Sequence, residues 1–249
     1  MSGSTDKLDY NVGYTHFKTD GISEAKDQTG TGDFDKDGYS QDAFQANANF
    51  KATEALSIKP YIRYNNFNGK YDADAFTDSK KDTYTSYLLN TGLSAQYKFS
   101  KGGVNLLYGY DKTDRTFDGD YGVSNYKGRF QHAEAFLNYE LAPHVSLLTG
   151  LSYQNIHMLD TAATEKNPVV TITSPYTSLF FNNLGGFSLE VGGRYNSHSK
   201  FGNNFTYSFN PSFLINNQVK IFINAFFRLQ IRIGTILTEK LVEGRCFET

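Results

Sequence analysis

The feature of this sequence that most constrains its fold is a period-two alternation of apolar and polar residues. The first run, residues 8–15, sets Leu, Tyr, Val and Tyr against Asp, Asn, Gly and Thr. Because side chains of an extended chain point alternately to opposite faces, each such run predicts a half-buried β-strand. We count eleven runs and no convincing helix, at residues 8–15, 43–50, 56–65, 89–99, 104–110, 133–141, 145–153, 176–183, 187–196, 205–215 and 219–225.

The connections between these runs alternate between short and long without exception. Short turns lie at residues 52–55, 100–103, 142–144, 184–186 and 216–218, and long polar segments at 18–40, 67–84, 112–128, 155–175 and 197–203. Structureless loops of this length are uncommon in compact soluble domains. An outer-membrane barrel has short periplasmic turns and long outer loops. The sequence therefore predicts an all-β, antiparallel up-and-down transmembrane β-barrel.

The composition suits a sheet whose two faces meet different solvents. The 249 residues include 21 Phe and 18 Tyr but no Trp, and polar residues supply much of the remainder. A net charge of −2 argues against a nucleic-acid partner, which would require a basic surface. The single cysteine, Cys246, excludes an internal disulfide and a multi-thiolate zinc site. No run approaches the roughly 18 apolar residues of a membrane-spanning helix.

Both faces of the predicted sheet fit a barrel. The apolar rows end in aromatic residues, which is typical of the girdles at the two membrane interfaces. The opposite rows carry charges, which suits a water-filled or plugged lumen. An exposed sheet face with cross-strand aromatic pairs is the alternative interpretation. The aromatic positions are Tyr14, Tyr64, Tyr97, Phe99, Tyr110, Tyr153 and Tyr195, and the charged ones are Lys59, Arg63, Lys98, Glu134, Glu190, Arg194 and Lys220.

Two long segments contain clusters of aspartates. Carboxylates at alternate positions before a glycine turn can converge on Ca²⁺, a hard cation that binds 6–8 oxygens. The first cluster is not an EF-hand, since Phe44 stands where the closing Glu is required. Neighbouring outer loops could bring the clusters together, and two solvated acidic loops are the alternative. The clusters are Asp33, Asp35 and Asp37, followed by Gly38, and Asp72, Asp74, Asp78 and Asp82.

No constellation of residues indicates catalysis. The five histidines lack metal-site spacing, and no nucleophile elbow, phosphate loop or dinucleotide fingerprint occurs. His132 and Glu134 share one face of a predicted strand, but two such residues on a strand are a frequent accident. We therefore expect no enzymatic activity and no organic cofactor.

Several motifs resemble those of a known family. They are Asp35-Lys-Asp-Gly-Tyr-Ser, Tyr71-Asp-Ala, Tyr121-Gly and Gly193-Arg-Tyr-Asn-Ser-His-Ser-Lys-Phe-Gly. From about Asp9 to Ala225 the chain resembles the barrel of TonB-dependent outer-membrane receptors, most closely the cobalamin (vitamin B12) transporter branch. The resemblance implies a 22-stranded barrel with an N-terminal plug that imports a scarce nutrient with energy relayed by TonB.

The resemblance also implies a metal site and a location. In the cobalamin branch calcium orders the acidic outer loops, and Asp35, Asp37 and Asp72 match three of its ligands by motif position. Asp82 or Asp78 matches a fourth, and Asp20 is a looser candidate for a fifth. The implied location is the outer membrane of a Gram-negative bacterium, where the chain would contact lipid. The TonB complex is an expected partner of the full-length parent only.

The chain departs from that family at both ends. Residues 1–6 are interpreted as a non-native or truncated start without a signal peptide, and residues 7–225 as about half of a receptor barrel. Residues 226–249, which contain no Asn, Asp, Ser or Tyr, form an atypical tail that a frame change would explain. We expect a receptor fragment that cannot transport alone. The alternatives are a siderophore receptor fragment, a small independent outer-membrane pore or adhesin, and a soluble carbohydrate-binding β-sandwich.

Overall fold

A computed structural model describes residues 1–30, 32–120, 122–160, 168–216 and 218–231. Every regular element in this part of the chain is a β-strand. The thirteen strands are β1 (Ser2–Ser4), β2 (Leu8–Thr19), β3 (Tyr39–Lys51), β4 (Leu56–Lys70), β5 (Thr83–Phe99), β6 (Gly102–Gly119), β7 (Gly122–Ala142), β8 (Val145–Asp160), β9 (Val169–Leu184), β10 (Phe187–His198), β11 (Gly202–Ile215), β12 (Val219–Phe222) and β13 (Ala225–Ile231). None of the described residues forms a helix with the length and hydropathy of a membrane span.

Strands that follow one another in the sequence are neighbours in one sheet. The order runs from β1 to β12 without a crossover, and β13 also pairs with β11. The pairings with a defined register are antiparallel, for example Tyr14 opposite Phe44 and Phe44 opposite Tyr64. No pairing among the described residues joins β1 to β12, so the sheet is open. This order confirms the predicted all-β, antiparallel up-and-down fold.

The contacts divide the chain into two compact units. The first consists of residues 1–94, 108–131 and 155–169, and it contains the long connections that follow β2 and β4. The second consists of residues 95–107, 132–154 and the chain from residue 170 onward. It contains the two-residue turns that follow β5, β7 and β9.

Burial among the described residues is the reverse of that in a soluble domain. The only buried apolar residue among those described is Ala25, whereas the buried polar residues are Asp37, Ser79, Asp82, Ser86, Ser152 and Ser174. The apolar rows remain exposed in both units: Tyr14 is 66% and Leu93 44% exposed in the first, and Leu151 is 49% exposed in the second. A soluble β-sandwich would bury its apolar rows against a second sheet, so this pattern does not fit the sandwich alternative.

Glycines on the polar face accommodate large aromatic rings from neighbouring strands. A Cβ at Gly92 would lie 2.7 Å from the ring of Tyr61, and one at Gly150 would lie 2.6 Å from the hydroxyl of Tyr176. The rings pack over the backbone at these glycines, and such packing stabilises a glycine within a strand. On the polar face, Gly92 and Gly150 are therefore packed against aromatic rings.

The strand count and the predicted third and fifth loops require correction. The first ten predicted runs correspond to β2–β11, and the eleventh, 219–225, covers β12 and the first residue of β13; β1 and the rest of β13 were not predicted. The segment predicted as a loop at 112–128 is mostly strand, since β6 ends at Gly119 and β7 begins at Gly122. Residues 197–203 likewise contain only a three-residue connection. A hairpin whose two faces both contact water requires no apolar row. Its sequence is therefore polar on both faces and shows no period-two alternation.

Two further predictions fall partly outside the described residues. In the predicted loop at 155–175, β8 continues to Asp160 and β9 begins at Val169, while residues 161–167 lie outside the description. Tyr121 of the Tyr121-Gly motif also lies outside it. The predicted atypical tail forms β13 as far as Ile231, and residues 232–249 are not described.

A proline explains why the predicted strand at 219–225 is divided in two. β12 and β13 pair with β11 on one continuous register, with Phe222 opposite Ser212 and Ala225 opposite Phe209. Between them the amide of Ile223 donates to the carbonyl of Pro211 at 3.0 Å. Pro211 has no N–H to return that bond. The ladder therefore loses one bond at this point and the strand is interrupted.

Candidate functional site

The connections after β2 (residues 20–38) and after β4 (residues 71–82) come together in the first unit. Between them they contain ten carboxylates and four lysines. One carboxylate oxygen from each of Asp35, Asp37 and Asp72 lies within 4.8 Å of the others. We call these three residues the acidic cluster. Oxygen ligands converging from two loops are the donors that a hard divalent cation prefers.

Glycines allow the first connection to fold back on itself. Gly21 has a φ of +66°, and a Cβ there would collide with the carbonyl oxygen of Asp37. A Cβ at Gly38 would lie 2.7 Å from the carbonyl oxygen of Thr19. The amide of Asp37 donates to the carbonyl of Ile22 at 3.1 Å. Because these close approaches require glycine, the sequence can return Asp37 to the beginning of its own connection.

Asp72 ties the two connections together. Its Oδ2 accepts hydrogen bonds from the amide of Ala25 at 2.6 Å and the hydroxyl of Ser23 at 3.3 Å. Its Oδ1 accepts one from the amide of Ser79 at 2.8 Å. Burial acts to raise the pKa of Asp72, but the bonds from Ser79 and Ala25 outweigh it and hold this pKa below its ordinary value. Asp72 is therefore held as a carboxylate by the loops that it joins.

Asp37 is the buried member of the cluster, with 6% of its surface exposed. Its Oδ2 accepts the amide of Glu24 at 2.7 Å, while its Oδ1 is buried without a donor among the described residues. Burial first, and then the neighbouring Asp72, raise the pKa of Asp37 above its ordinary value. Asp35 also has a buried Oδ1 without a donor, and its Oδ2 accepts Lys70 Nζ at 2.7 Å. The cluster thus offers two unsatisfied buried acceptors.

The other residues that the sequence singled out are not part of this group of three. Asp78 accepts the amide of Asp35 at 3.0 Å and so supports the first connection from the second. Asp82, 1% exposed, accepts the amide of Asp120 at 3.1 Å and so holds the turn between β6 and β7. Asp20 is exposed at the end of β2. Asp74 caps its own turn at the amide of Phe76.

A continuous row of six aromatic rings lies next to the acidic cluster, and sequence reasoning missed it. Adjacent ring centroids are 5.3, 4.9, 5.0, 5.9 and 5.9 Å apart along the row. The row crosses strands β2 to β7 and also contacts Tyr71, the residue before Asp72. We call it the aromatic row, and its members are Phe17, Tyr39, Phe67, Tyr84, Phe117 and Tyr126.

The register places this row on the polar face. Phe17 pairs with Gln41, and Gln41 pairs with Phe67, so these rings share a face with Gln45 and Arg63. The aromatic residues predicted to form an interfacial girdle, such as Tyr14 and Tyr64, lie instead in the apolar rows of the opposite face. Phe17, Tyr39 and Phe67 carried a different signal, since each is out of phase with the apolar row of its own strand.

His132 and Glu134 form a polar network in the second unit. His132 Nε2 lies 3.1 Å from Ser152 Oγ and 3.8 Å from Glu134 Oε2. The hydroxyl of Tyr176 donates to Glu134 Oε1 at 2.7 Å. Because the serine and the glutamate meet the same ring nitrogen, this arrangement is not that of a serine–histidine–carboxylate relay.

Comparison with known proteins establishes the fold but assigns the chain to no family. No family model matches the chain, and no curated protein matches it. A mutant of the ferric enterobactin receptor PfeA from Pseudomonas aeruginosa aligns with a TM-score of 0.70 and 15% identity, over 91% of this chain and 40% of that one. The siderophore receptor PirA from Acinetobacter baumannii aligns with a TM-score of 0.67 and 16% identity, over 90% and 38%.

A third solved structure, the RagAB peptide importer, aligns with a TM-score of 0.69 and 11% identity, over 91% of this chain and 35% of that one. These structural neighbours are receptors and an importer rather than enzymes. This chain spans between 35% and 40% of the length of all three. At these identities the likeness establishes a shared fold with part of each neighbour.

Proposed function

We propose that this chain is part of the barrel of a TonB-dependent outer-membrane receptor that imports a scarce nutrient, with calcium bound at its acidic cluster. The observation that carries the proposal is the convergence of Asp35, Asp37 and Asp72 from two connections, with two buried oxygens left without donors. A buried acceptor without a donor is costly. A cation that meets both oxygens removes that cost and orders the loops.

Location in a Gram-negative outer membrane is supported by the exposed apolar rows. These rows would be costly in water but suit lipid. Their aromatic members, such as Tyr14, Phe44 and Tyr64, pair in one row across three strands. An aromatic band of this kind is typical of barrels at the membrane interface.

Calcium fits the donor set better than a transition metal does. The cluster offers carboxylate oxygens only, and calcium prefers oxygen ligands from flexible loops. Asp35, Asp37 and Asp72 would hold the ion, with Asp78 close enough in the fold to support Asp35. Bound calcium would supply positive charge between two loops that otherwise repel each other.

The ligand class that we favour is cobalamin or a related corrinoid. The aromatic row offers a broad apolar surface next to the cluster, which suits a large flat macrocycle. The ten carboxylates and four lysines of the two connections make this region strongly negative. Ferric catecholate siderophores are anions and would be repelled there, whereas corrinoids carry no large negative charge.

A siderophore is the second candidate, and the solved receptors for siderophores favour it. Bound calcium would offset part of the negative charge and so permit an anionic ligand. In either case the energy relay through TonB belongs to the full-length receptor rather than to this chain.

The test is ligand binding to the receptor that contains this chain, purified in detergent. We expect terbium to bind at the cluster and to be displaced by calcium, and cyanocobalamin to bind more tightly with calcium than in its absence. Ferric enterobactin, assayed in parallel, distinguishes the second candidate. Terbium binding that survives replacement of Asp35, Asp37 and Asp72 by Asn together would contradict the metal site, and binding of neither ligand would contradict the receptor assignment.

A further inference from the structure

The turn between β10 and β11, residues 199–201, belongs to the motif at residues 193–202, which the proposed function does not use. We call it the β10–β11 tip. The amides of Lys200 and Phe201 both donate to Nδ1 of His198, each at 3.1 Å. The ring of His198 also lies against that of Phe201, with 4.7 Å between the two centroids. One imidazole nitrogen therefore accepts two backbone donors of this tip.

This geometry determines the protonation state of His198. A backbone N–H can only donate, so Nδ1 presents its lone pair to the two amides and the ring hydrogen lies on Nε2. An imidazolium carries a hydrogen on both nitrogens and accepts no hydrogen bond. Protonation of His198 therefore removes the acceptor of two amides at once.

Two other histidines make contacts that acid leaves in place. His144 Nδ1 lies 2.9 Å from the carbonyl oxygen of Asn182, so this nitrogen already carries a hydrogen and keeps its bond after protonation. His16 Nδ1 lies 2.8 Å from Asp42 Oδ1, where a positive charge on the ring strengthens the pair. Among these three histidines, only His198 loses its partners when it gains a proton.

We propose that His198 is a pH-sensitive cap that holds the β10–β11 tip closed at neutral pH and releases it in mild acid. An ordinary histidine changes its charge between pH 5 and 8. The tip is also joined to β9, since the amide of Ser199 donates to the carbonyl of Thr171 at 2.9 Å and Ser199 Oγ accepts the amide of Thr171 at 3.0 Å. Release of the cap would therefore loosen the beginning of β9 as well.

The elements packed against His198 contain no described anion that would retain an imidazolium in the closed tip. His198 pairs with Ile172 of β9 and Gly202 of β11, and residues 169–175 and 202–206 have no titratable side chain. Cations near an imidazolium disfavour it, because like charges repel. The nearest charged side chains along β10, the tip and β13 are cations, namely Arg194, Lys200 and Arg228.

The turn between β9 and β10 has the same kind of cap without a titratable group. The amide of Gly186 donates to Oδ1 of Asn183 at 3.2 Å. Gly186 follows Asn183 by three residues, just as Phe201 follows His198. Because the oxygen of an amide side chain remains an acceptor across this pH range, this turn is an internal reference and asparagine is a suitable replacement for His198.

Hydrogen exchange of the full chain in detergent, measured by mass spectrometry, tests the proposal. The exchange rate of each peptide is divided by the intrinsic rate at the same pH, which gives a protection factor. We expect protection at Lys200 and Phe201 to fall about tenfold or more from pH 7 to pH 5, because two hydrogen bonds are lost. Protection at Gly186 should not change.

His198→Asn should remove this pH dependence, because asparagine supplies an acceptor that gains no proton. His198→Phe should also remove it, because phenylalanine keeps a ring beside Phe201 but has no acceptor at any pH. The matched control is His144→Asn, which suits the φ of +68° at that position and should keep the pH dependence of the parent.

Unchanged protection at Lys200 and Phe201 between pH 7 and pH 5 would overturn the proposal, as would a pH dependence that persists in His198→Asn. A fall that extends to Gly186 would also overturn it, since the whole unit rather than the tip would then be opening. Circular dichroism at both pH values establishes that the strands are retained. The result does not depend on calcium, on a nutrient or on the receptor assignment.

Discussion

At the scale of single residues, the acidic cluster depends on carboxylates with different tasks. Asp72 receives three hydrogen bonds and joins two connections. Asp37 is more buried and has an oxygen that no described donor meets. Asp72 therefore holds the two connections together. Asp37 leaves one buried oxygen without a donor unless a cation binds there.

Replacing Asp72 by Asn should weaken calcium binding by about tenfold or more, because it removes one of three charges and the acceptor for one loop amide. The measurement is terbium luminescence with calcium as competitor. Asp74→Asn is the matched control, since Asp74 lies two residues away and bonds only within its own turn. Equal losses in the two variants would mean that general negative charge, rather than the cluster, binds the metal.

Protonation of Asp37 should make the metal-free protein more stable in mild acid than at neutral pH. Burial raises the pKa of Asp37 above 3.8 in the folded state, so the folded protein binds this proton more tightly than the unfolded chain does. The free energy of unfolding should therefore rise as pH falls from the raised pKa towards 3.8, while calcium affinity falls in the same window.

Thermal unfolding in calcium-free buffer and terbium titration, both between pH 7 and pH 4, test this expectation. Asp37→Asn should remove the pH dependence of both quantities in that window. A variant that keeps the pH dependence of the parent would assign the effect to another carboxylate.

At the scale of elements, the hairpin of β6 and β7 is held at its tip by a loop from another hairpin. The amide of Asp120 donates to Asp82, and a Cβ at Gly119 would lie 2.7 Å from the hydroxyl of Tyr71 and 2.9 Å from Asp82 Oδ2. A side chain at residue 119 would therefore have to displace the Tyr71 hydroxyl or the Asp82 carboxylate.

Gly119→Ala should displace this tip and speed amide exchange at Asp120, which hydrogen-exchange mass spectrometry measures. Gly128→Ala in β7 is the control, because its Cβ would meet only Thr113 at 3.9 Å. The expected cost of the first variant is about 1–3 kcal/mol of local stability. Unchanged exchange at Asp120 would show that the tip does not depend on this contact.

The strands that could be predicted from the sequence are those with one apolar and one polar face. The alternation in 8–15 and 187–196 was sufficient because water and an apolar phase select opposite faces. Residues 112–128 were predicted as a loop, since a strand that is polar on both faces has no periodic signal. The convergence of Asp35, Asp37 and Asp72 depends on the backbone conformation of the two loops, which sequence spacing alone does not specify. The aromatic row depends on the register between neighbouring strands.

At the scale of the whole molecule, the sheet has a long unpaired edge. β1 pairs only with Asp9 to Asn11 on β2, and Met1 bonds to Val12. From Gly13 to Thr19, β2 has no described partner on that side. Open edges of this length pair with other chains.

We therefore expect the chain alone to self-associate in detergent, which size-exclusion chromatography with light scattering would detect. Without detergent the exposed apolar rows should lead to precipitation. A monodisperse monomer in detergent would mean that the edge is protected by residues outside the described ranges.

The ion pair between Lys70 and Asp35 joins the end of β4 to the acidic cluster. A cation that binds Asp35 would compete with the ammonium group of Lys70 for the same carboxylate. Lys70→Met should therefore leave the cluster able to bind calcium and make Asp35 Oδ2 more available to it, which terbium luminescence would measure. The last residue of a strand would then set how readily the neighbouring loops accept an ion.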